Sequence, residues 1–575
     1  MPSTPQGAWR ARMRSRRALT GVGCALAMCV AAAPAQADGW HHGHRGAGLI
    51  PGNLLVSTSD YAAAPITAGV TQLPPECGTT AAAAPCATAV ASGDDFPSVF
   101  NNDSVDAFFG VATPVFLDEL TPWGQHVATI PVPTDEFDTS FSSKSELALN
   151  LSPEGNYVSF MGYDARPGTI DASNANTPGV IDPGNGDIGP YYRVVAQLDR
   201  WEHFTFTRTN ADSGDNGRAA ITNDERGQDL VYTAGNAGQS KSPPPRVVAS
   251  TGAQFITPSS LPEAAQNPGA PTPLGSFNIS QLGYAVDKST KDNNYRGITI
   301  HNNVIYYTKG SGGNGINTVY FVDTTGKACP STSATPGVGL PQPGARLPTS
   351  PPTFTVQNLG TASKPNNALL PTNTCILKGF PTALATPTPT PANFPFGMWF
   401  ANDHTLYVAD EGAGDNTYDA TTNTYINATP SAQPEAGLEK WVLSGGSWHL
   451  AYTLQDGLDL GQPYTVPGYP TGLNNGPGGT GGPWSPATDG LRALTGRVGR
   501  DGVATIWAVT STVSGGGDNG ADPDKLVTIS DPVDAITPAW WERFSTVRSA
   551  RFGQVLRGVS FTPGTDSDRR SSVRG

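Results

Sequence analysis

The stretch NYRGITIHNNVIYYTKGSG, residues 294–312, decides the fold of this protein. Two short runs of apolar and β-branched residues are joined by Asn302 and Asn303, residue types that favour the backbone of a tight hairpin turn. We therefore predict a β-hairpin with Arg296 at the entrance of its first strand. The same pattern recurs along the chain, so the hairpin is one unit of a repeat.

Four other segments share this frame of a short strand, a polar turn, and an aromatic or β-branched second strand. The five hairpins begin at Glu146, Arg218, Arg296, Phe396 and Arg492. A sixth copy, RGVSFTPG from Arg557, lacks a second strand, whereas GNLLVSTSDY, residues 52–61, is a second strand without a first. Pairing of these two segments closes a ring and removes the exposed edges of a linear array.

The repeat predicts an all-β protein, a six-bladed β-propeller over residues 49–565 that is closed by pairing of its N- and C-terminal strands. Two outer strands follow each hairpin, and after the Arg218 hairpin we assign them to residues 245–251 and 253–259. The copies lie 65 to 100 residues apart because long loops connect the strands. Seven blades are the alternative, if residues 62–113 contain another sheet.

Two short segments resemble a known group of proteins. A strand–turn–strand pattern is present in residues 151–165, LSPEGNYVSFMGYDA. Residues 406–412, LYVADEG, are similar to an NHL-type propeller repeat. The chain thus resembles exported bacterial β-propeller proteins of uncharacterised function, over most of residues 49–564. The resemblance implies a fold and no particular activity, since function depends on a site.

The first 37 residues have the pattern of a secretory signal peptide. Five arginines at positions 10–17 precede the apolar run ALTGVGCALAMCVAAAP, and a small-x-small site ends at Ala37. We predict cleavage there and a secreted or periplasmic protein. A twin-arginine signal in SRRALTG and a lipoprotein signal at Cys29 remain open. Residues 38–48, which are His-rich, and residues 566–575 are expected to be flexible tails.

The charge balance limits the possible partners. Loss of the signal would leave 48 acidic and 30 basic residues, a net charge of −18. Nucleic acids and anionic membranes both require a basic face, so neither is an expected partner. No later stretch has the ~18–20 apolar residues of a membrane helix, so we expect no transmembrane segment in the mature chain. We expect a monomer.

Four cysteines remain after the predicted cleavage, and an oxidising compartment favours disulfides. We predict bonds between Cys77 and Cys86 and between Cys329 and Cys375, while the other pairings remain possible. The second bond would cross-link a Pro-rich insertion at about residues 327–394.

The ring position of the repeat is the first candidate site. In a propeller the first strand of each blade lines the central channel, so equivalent residues converge at one mouth. We predict that Arg218, Arg296, Arg492 and Arg557 meet there with Glu146. Guanidinium groups suit carboxylate, sulfate and phosphate, so the expected ligand is an anionic small molecule or an acidic glycan. The alternative is structural, with each arginine bound to a neighbouring blade.

Metal binding is a weaker prediction, and no cofactor is certain. Calcium is possible in the acidic, Gly-rich loops DSGDNG and GGGDNGADPD, whose carboxylates are the hard oxygen ligands that this cation takes. The candidate ligands are Asp212, Asp215, Asp518 and Asp522.

The sequence leaves enzymatic activity undecided. His301 and His404 occupy matching hairpin positions and are candidate acids or bases for a propeller lyase or a lactone or ester hydrolase. A cell-surface interaction scaffold is a third class. Several tryptophans are candidates for stacking on sugar rings: Trp399, Trp441, Trp448, Trp540 and Trp541. The leading hypothesis is a secreted binding module for an anion.

Overall fold

The computed structural model describes residues 48–60 and 112–566, together with the short paired strands Gln72–Leu73 and Ala87–Thr88. Within the longer range the description omits residues 142, 144, 170–171, 179–189, 226–228, 237–251, 260–273, 275–293, 311–315, 329–336, 351–355, 359–368, 372, 384–392, 470, 476–479 and 517–519. The predicted signal peptide, the tail at 566–575 beyond its first residue, and the cysteines Cys77, Cys86 and Cys329 lie outside the described residues.

Six sheets form the blades of a β-propeller, which confirms the predicted fold class. We number the blades along the ring and give their strands from the axis outward. Blade 1 contains Gln554–Phe561, Leu54–Asp60, Val115–Leu120 and His126–Pro131. Blade 2 contains Asn150–Leu151, Tyr157–Tyr163, Arg193–Asp199 and Phe204–Thr209. Blade 3 contains Gly217–Asn223, Leu230–Gly235 and Ala253–Ile256.

The other three blades follow the same order. Blade 4 contains Ile298–His301, Val304–Lys309, Thr318–Val322 and Thr374–Leu377, with the parallel strand Val338–Gly339 at its edge. Blade 5 contains Pro395–Asn402, Thr405–Asp410, Gly437–Ser444 and Ser447–Leu454. Blade 6 contains Ala487–Val498, Val503–Val513, Lys525–Pro532 and Ser545–Ser549.

Short elements decorate the connections between these strands. They are the strand pairs Ala112–Thr113 with Thr139–Ser140, Val356–Asn358 with Leu369–Pro371, and Tyr418–Asp419 with Thr424–Tyr425, and the 3-10 turns Ala172–Asn174 and Ile426–Ala428. Among the residues that the structure describes, no helix is long and apolar enough to span a bilayer.

The two ends of the chain meet in blade 1, as predicted. Leu54 pairs with Phe561 and Asp60 with Gln554 in an antiparallel register. The innermost strand of each blade contacts the innermost strands of both neighbours, and blade 1 contacts blades 2 and 6. The ring is therefore closed at six blades, and the seven-bladed alternative is wrong.

Glycine next to the ring position lets the inner strands approach one another. A Cβ atom at Gly297, which follows Arg296, would overlap the carbonyl oxygen of Phe396 in blade 5. A Cβ atom at Gly558, which follows Arg557, would overlap the carbonyl oxygen of Leu147 beside blade 2. The Arg-Gly pairs of the repeat thus place an arginine where neighbouring backbones are in contact.

Hydrophobic cores fill the spaces between neighbouring blades. Blade 6 meets blade 1 through Trp507 and Phe561, whose ring centroids are 5.6 Å apart in an edge-to-face arrangement. Met161 of blade 2 packs with Ala220 of blade 3, and Tyr407 of blade 5 belongs to the core shared with blade 6. Alternation along each strand buries one side chain toward each neighbour, so burial of apolar surface holds the blades together.

The ring has two different ends. Strands within a blade are antiparallel, so the turns after the first and third strands lie at one end, which we call the hairpin face. Hydrogen bonds link neighbouring turns there: Ser152 Oγ donates to Asp224 Oδ2 over 2.6 Å, and Gly564 N donates to Gly155 O over 2.7 Å. The opposite end, where the inner strands begin, we call the loop face.

One strand assignment was wrong. Ala253–Ile256 pairs with Leu230–Gly235 and is therefore the third strand of blade 3, whereas we predicted the fourth. The segment predicted as the third strand, residues 245–251, lies outside the described residues. A buried run of four residues carries no signal for its place in the sheet, since both positions have the same periodicity.

Candidate functional site

The inner strands bring the predicted ring residues into the centre of the propeller. Arg218, Arg296, Arg492 and Arg557 are all buried, with 3 to 5% of each residue exposed. Each lies about four to six residues before the hairpin face, so all occupy a similar depth along the axis. The sixth ring residue, Phe396, is buried as well and contributes no charge.

One arginine reaches across the ring. Arg296 enters from blade 4, and its Nη1 atom donates to the Oγ atom of Ser145, which precedes blade 2. Blade 3 lies between these two blades, since its inner strand contacts the inner strands of both. The side chain of Arg296 therefore passes through the axial region, which places its guanidinium where other ring residues converge.

The other arginines contact adjacent blades. Arg218 Nη1 donates to the carbonyl oxygen of Tyr295 over 2.9 Å and to the side chain of Asn294, both at the start of blade 4. Arg557 Nη2 donates to the carbonyl oxygen of Phe141. These contacts agree with the structural alternative, in which each arginine binds a neighbouring blade, because they connect the start of one blade to the next.

Arg492 is held by an ion pair. Its Nε atom lies 3.3 Å from Glu411 Oε2, and both side chains are buried. Glu411 follows the second strand of blade 5, at the loop face. The sequence pattern did not identify Glu411 as an axial residue, because it belongs to a connection outside the repeat frame.

Glu146, the acidic ring residue, is surrounded by donors. Its Oε2 atom accepts from Thr139 Oγ1 at 2.8 Å and from Ser140 N at 3.2 Å, while Oε1 accepts from Asn216 Nδ2 at 3.0 Å and from the Tyr163 hydroxyl. Burial, and next the charge of Glu146, raise the pKa of Tyr163 well above its usual value. Glu146 therefore connects residues of blades 2 and 3, and the hydrogen bonds that its carboxylate already accepts leave little capacity for a further ligand.

Arg193 is a buried arginine that the repeat frame did not reveal. Its guanidinium lies 5.1 Å from the centroid of the Tyr163 ring. Its Nη2 atom donates to the carbonyl oxygens of Ala175 and Asp215, both over 2.7 Å. It opens the third strand of blade 2, where the sequence signal is that of an ordinary strand.

The axial guanidiniums act on one another electrostatically. Burial, followed by the positive charge of Arg218, lowers the pKa of Arg296 to about 9, and Arg492 lowers it further, while Glu411 and Asp215 act in the opposite direction. Burial also lowers the pKa of Arg218. Positive charges from blades 3, 4 and 6 thus share one water-poor region.

Two buried carboxyl groups lie next to this region. Burial raises the pKa of Asp522 to about 6 and that of Asp524 to about 7, while Arg492 favours the ionised form of both. Tyr469 donates to Asp522 over 2.6 Å, and Leu556 N donates to Asp524 over 2.8 Å. Asp522 was predicted only as a calcium ligand, and Asp524 was not predicted at all.

The candidate histidines lie far from the arginines. His301 ends the inner strand that Arg296 precedes, about 16 Å along the strand at ~3.3 Å per residue. Its Nε2 atom is 3.0 Å from Asp403 Oδ1, and its ring stacks on Phe400 with centroids 4.3 Å apart. His404 is exposed in the neighbouring turn. Both belong to the hairpin face, so the geometry does not combine them with the axial arginines.

The predicted calcium ligands are distributed over two places. Asp212 is fully buried beside Gly235, and Asp215 Oδ1 lies 4.0 Å from Arg218 Nη2. Asp522 belongs to blade 6, and Asp518 lies outside the described residues. The described part of the chain contains no group of three His, Cys, Asp or Glu side chains able to hold a metal ion. Calcium therefore stays a prediction.

Cys375 is fully buried in the fourth strand of blade 4. Its predicted partner, Cys329, lies outside the described residues, so this pairing also stays a prediction.

Comparison with known proteins does not assign the chain to a family. No family model matches the chain, and no curated protein matches it. Among solved structures, the chain has a distant similarity to an acylaminoacyl peptidase from Pyrococcus horikoshii. The similarity has 8% sequence identity and a TM-score of 0.17, and covers 70% of this chain and 53% of that chain. A TM-score of this size supports no argument about activity. The protein is a six-bladed β-propeller with an arginine-rich axis.

Proposed function

We propose that this protein is an exported binding module that holds a small anion at the axis, among Arg218, Arg296 and Arg492. The observation that carries the proposal is the convergence of these guanidiniums from blades 3, 4 and 6, with Arg296 reaching across the ring to Ser145. A carboxylated small molecule or an acidic sugar is the expected ligand class, because a guanidinium can bind a carboxylate through two parallel hydrogen bonds.

The electrostatic surroundings support this proposal. Burial, and next the positive charges of Arg218 and Arg492, lower the pKa of Arg296, while Glu411 and Asp215 act in the opposite direction. An added anion would interact favourably with all three guanidiniums, and exclusion of water strengthens such an interaction. Export rests on the N-terminal basic and apolar pattern, and an extracellular or periplasmic ligand fits that pattern.

A thermal-shift assay tests the proposal. The purified protein is heated with sulfate, with a tricarboxylic acid, or with a uronic acid, and a ligand at about 100 times its Kd stabilises the fold by ~2.7 kcal/mol. We expect at least one of these anions to raise the Tm of the wild type. Arg296→Gln and Arg492→Gln should abolish the increase while circular dichroism shows an intact β-fold.

Arg543→Gln is the matched control, since Arg543 is an exposed arginine whose side chain is 58% accessible. It should respond to the anion as the wild type does. A wild type that responds to none of the three anions, or an equal response in Arg296→Gln, would overturn the proposal.

A further inference from the structure

The hairpin face carries exposed tryptophans on three consecutive blades. Trp540 is 94% exposed in the outer turn of blade 6, Trp123 is 82% exposed in that of blade 1, and Trp201 is 57% exposed in that of blade 2. Each of these turns connects the third strand of its blade to the fourth, so all three lie at the same end of the ring. We call them the tryptophan arc.

Each tryptophan stands on a turn that is held by hydrogen bonds. Gly124 N donates to Thr121 O over 2.8 Å beside Trp123. The backbone N–H of Trp201 donates to Asp199 Oδ1 over 2.7 Å. Glu542 N donates to Ala539 O over 3.0 Å and encloses Trp540. The backbone that presents the rings is therefore ordered before any partner binds, which reduces the entropic cost of binding.

The position of the Trp201 ring is fixed as well. The Arg200 guanidinium lies over it, 5.3 Å from the ring centroid. A Cβ atom added at Gly48 would come within 3.1 Å of the ring, so the chain at Gly48 lies against one part of it. Such a supported, exposed indole offers one face to a partner.

The charges around the arc disfavour a lipid surface. Arg200 and Glu202 flank Trp201, and the turn that carries Trp540 also contains the exposed residues Asp534 and Arg543. Insertion of the rings into a bilayer would bring these carboxylates into a poorly hydrated layer. Binding to anionic lipid headgroups needs a cluster of basic residues, and here basic and acidic residues alternate in a chain of net charge −13.

We infer that the tryptophan arc binds a neutral polysaccharide whose sugar rings stack on Trp123, Trp201 and Trp540. A pyranose ring has a face of C–H groups that packs on the electron-rich face of an indole, and its hydroxyl groups can bond to the flanking polar side chains. Single rings on three separate turns suit a repeating polymer, because weak contacts on one rigid platform add to a large avidity.

This surface is distinct from the axial arginines. The arc lies on the hairpin face, whereas Arg218, Arg296 and Arg492 lie along the inner strands toward the loop face. A protein bound to a polymer through the arc would keep its loop face turned away from that polymer.

Retention on insoluble polymers tests the inference. The full-length protein is mixed with cellulose, chitin or β-1,3-glucan particles, and in parallel with phosphatidylcholine vesicles, and the unbound fraction is measured. We expect retention on at least one glycan and none on the vesicles. Each single change, Trp123→Ala, Trp201→Ala or Trp540→Ala, should weaken retention about fivefold, in line with the loss of one aromatic contact.

Combined variants and controls complete the test. The triple alanine variant should lose retention while its Tm stays near that of the wild type, because the three side chains are exposed. Trp540→Tyr, which keeps an aromatic ring, should retain most of the binding. Leu450→Ala is the control for an exposed apolar side chain outside the arc. Absence of retention on all three glycans, equal retention by the triple variant, or tryptophan-dependent binding to vesicles instead would overturn the inference.

Discussion

Lys440 and Asp531 form an ion pair that is completely excluded from solvent, with Nζ and Oδ2 2.8 Å apart. Lys440 belongs to the third strand of blade 5 and Asp531 to that of blade 6, so the pair joins two neighbouring blades. The hydroxyl of Tyr452 donates to Asp531 Oδ1 over 2.5 Å and lies 3.0 Å from Lys440 Nζ, and the hydroxyl of Tyr407 donates to Asp531 Oδ2. Such a satisfied buried network specifies one arrangement of two blades.

Removal of one partner of this pair should destabilise the ring strongly. Lys440→Met leaves the Asp531 carboxylate buried without its counter-charge, which typically costs ~3–5 kcal/mol. The free energy of unfolding in urea measures the loss. Arg543→Ala breaks an ion pair with Asp456 whose side chains are 58% and 62% accessible. It should cost less than ~1 kcal/mol. An equal cost for the two variants would contradict the assigned importance of the buried pair.

The contact between inner strands at Gly297 should tolerate no side chain. In Gly297→Ala the new methyl group would overlap the Phe396 carbonyl oxygen, and overpacking of this kind costs ~1–3 kcal/mol. Thermal unfolding followed by circular dichroism measures the decrease in stability. Gly482→Ala is the matched control, because a Cβ atom there finds its nearest neighbours at 3.5 Å. A Gly297→Ala variant as stable as Gly482→Ala would show that the two strands can separate.

The buried carboxyl of Asp524 should make stability depend on pH. Burial raises the pKa of Asp524 from 3.8 to about 7, so the folded protein binds this proton more tightly than the unfolded chain. The stabilisation is therefore full below pH 4 and is lost progressively as the pH rises to about 7. Asp524→Asn should flatten this part of the profile. The stability at pH 8, compared with that at pH 5, should then be higher in the variant than in the wild type, by on the order of a few kcal/mol. Urea unfolding at pH 5 and pH 8 measures both values, and an unchanged slope in the variant would disprove the assignment.

Closure of blade 1 should be essential for folding. A chain that ends at residue 553 lacks the inner strand Gln554–Phe561, and its strand Leu54–Asp60 keeps an unpaired edge. We expect this truncation to yield insoluble protein or a broad, non-cooperative thermal transition. Deletion of residues 567–575 alone, in the predicted flexible tail, should leave the Tm unchanged. A soluble, cooperatively unfolding chain that ends at residue 553 would contradict the role of the terminal strand.

The fold was predictable because the repeat frame survives in the hairpins. The pairing of Leu54–Asp60 with Gln554–Phe561 was predictable from two incomplete copies at opposite ends of the chain, because joining them completes both. Blade 3 shows the limit of this reasoning. Ala253–Ile256 has the composition of a strand, but its neighbour in the sheet depends on contacts that its own residues do not encode.

The site was predictable only in part, because only some of its residues belong to the repeat frame. Arg218, Arg296, Arg492 and Arg557 share the repeat frame, so their convergence could be expected from the topology. Their acidic neighbours, such as Glu411 and Asp524, come from connections without a common register.

Three of the five tryptophans proposed for sugar stacking lie mainly in the core, because strand residues face neighbouring blades: Trp399, Trp441 and Trp448. Trp123 and Trp201 lie in turns outside the repeated strands, so the repeat pattern does not single them out.

The two terminal strands can pair only after nearly the whole chain has been synthesised. Asp60 and Gln554 are bonded through their side chains although 494 positions separate them. At about 5–20 residues per second, a ribosome needs roughly 25–100 s to make the intervening chain. Throughout that interval the early strand Leu54–Asp60 lacks its final partner and offers an edge on which nascent chains can aggregate. Binding by chaperones during synthesis should therefore matter more for this protein than for a ring whose blades each come from consecutive residues.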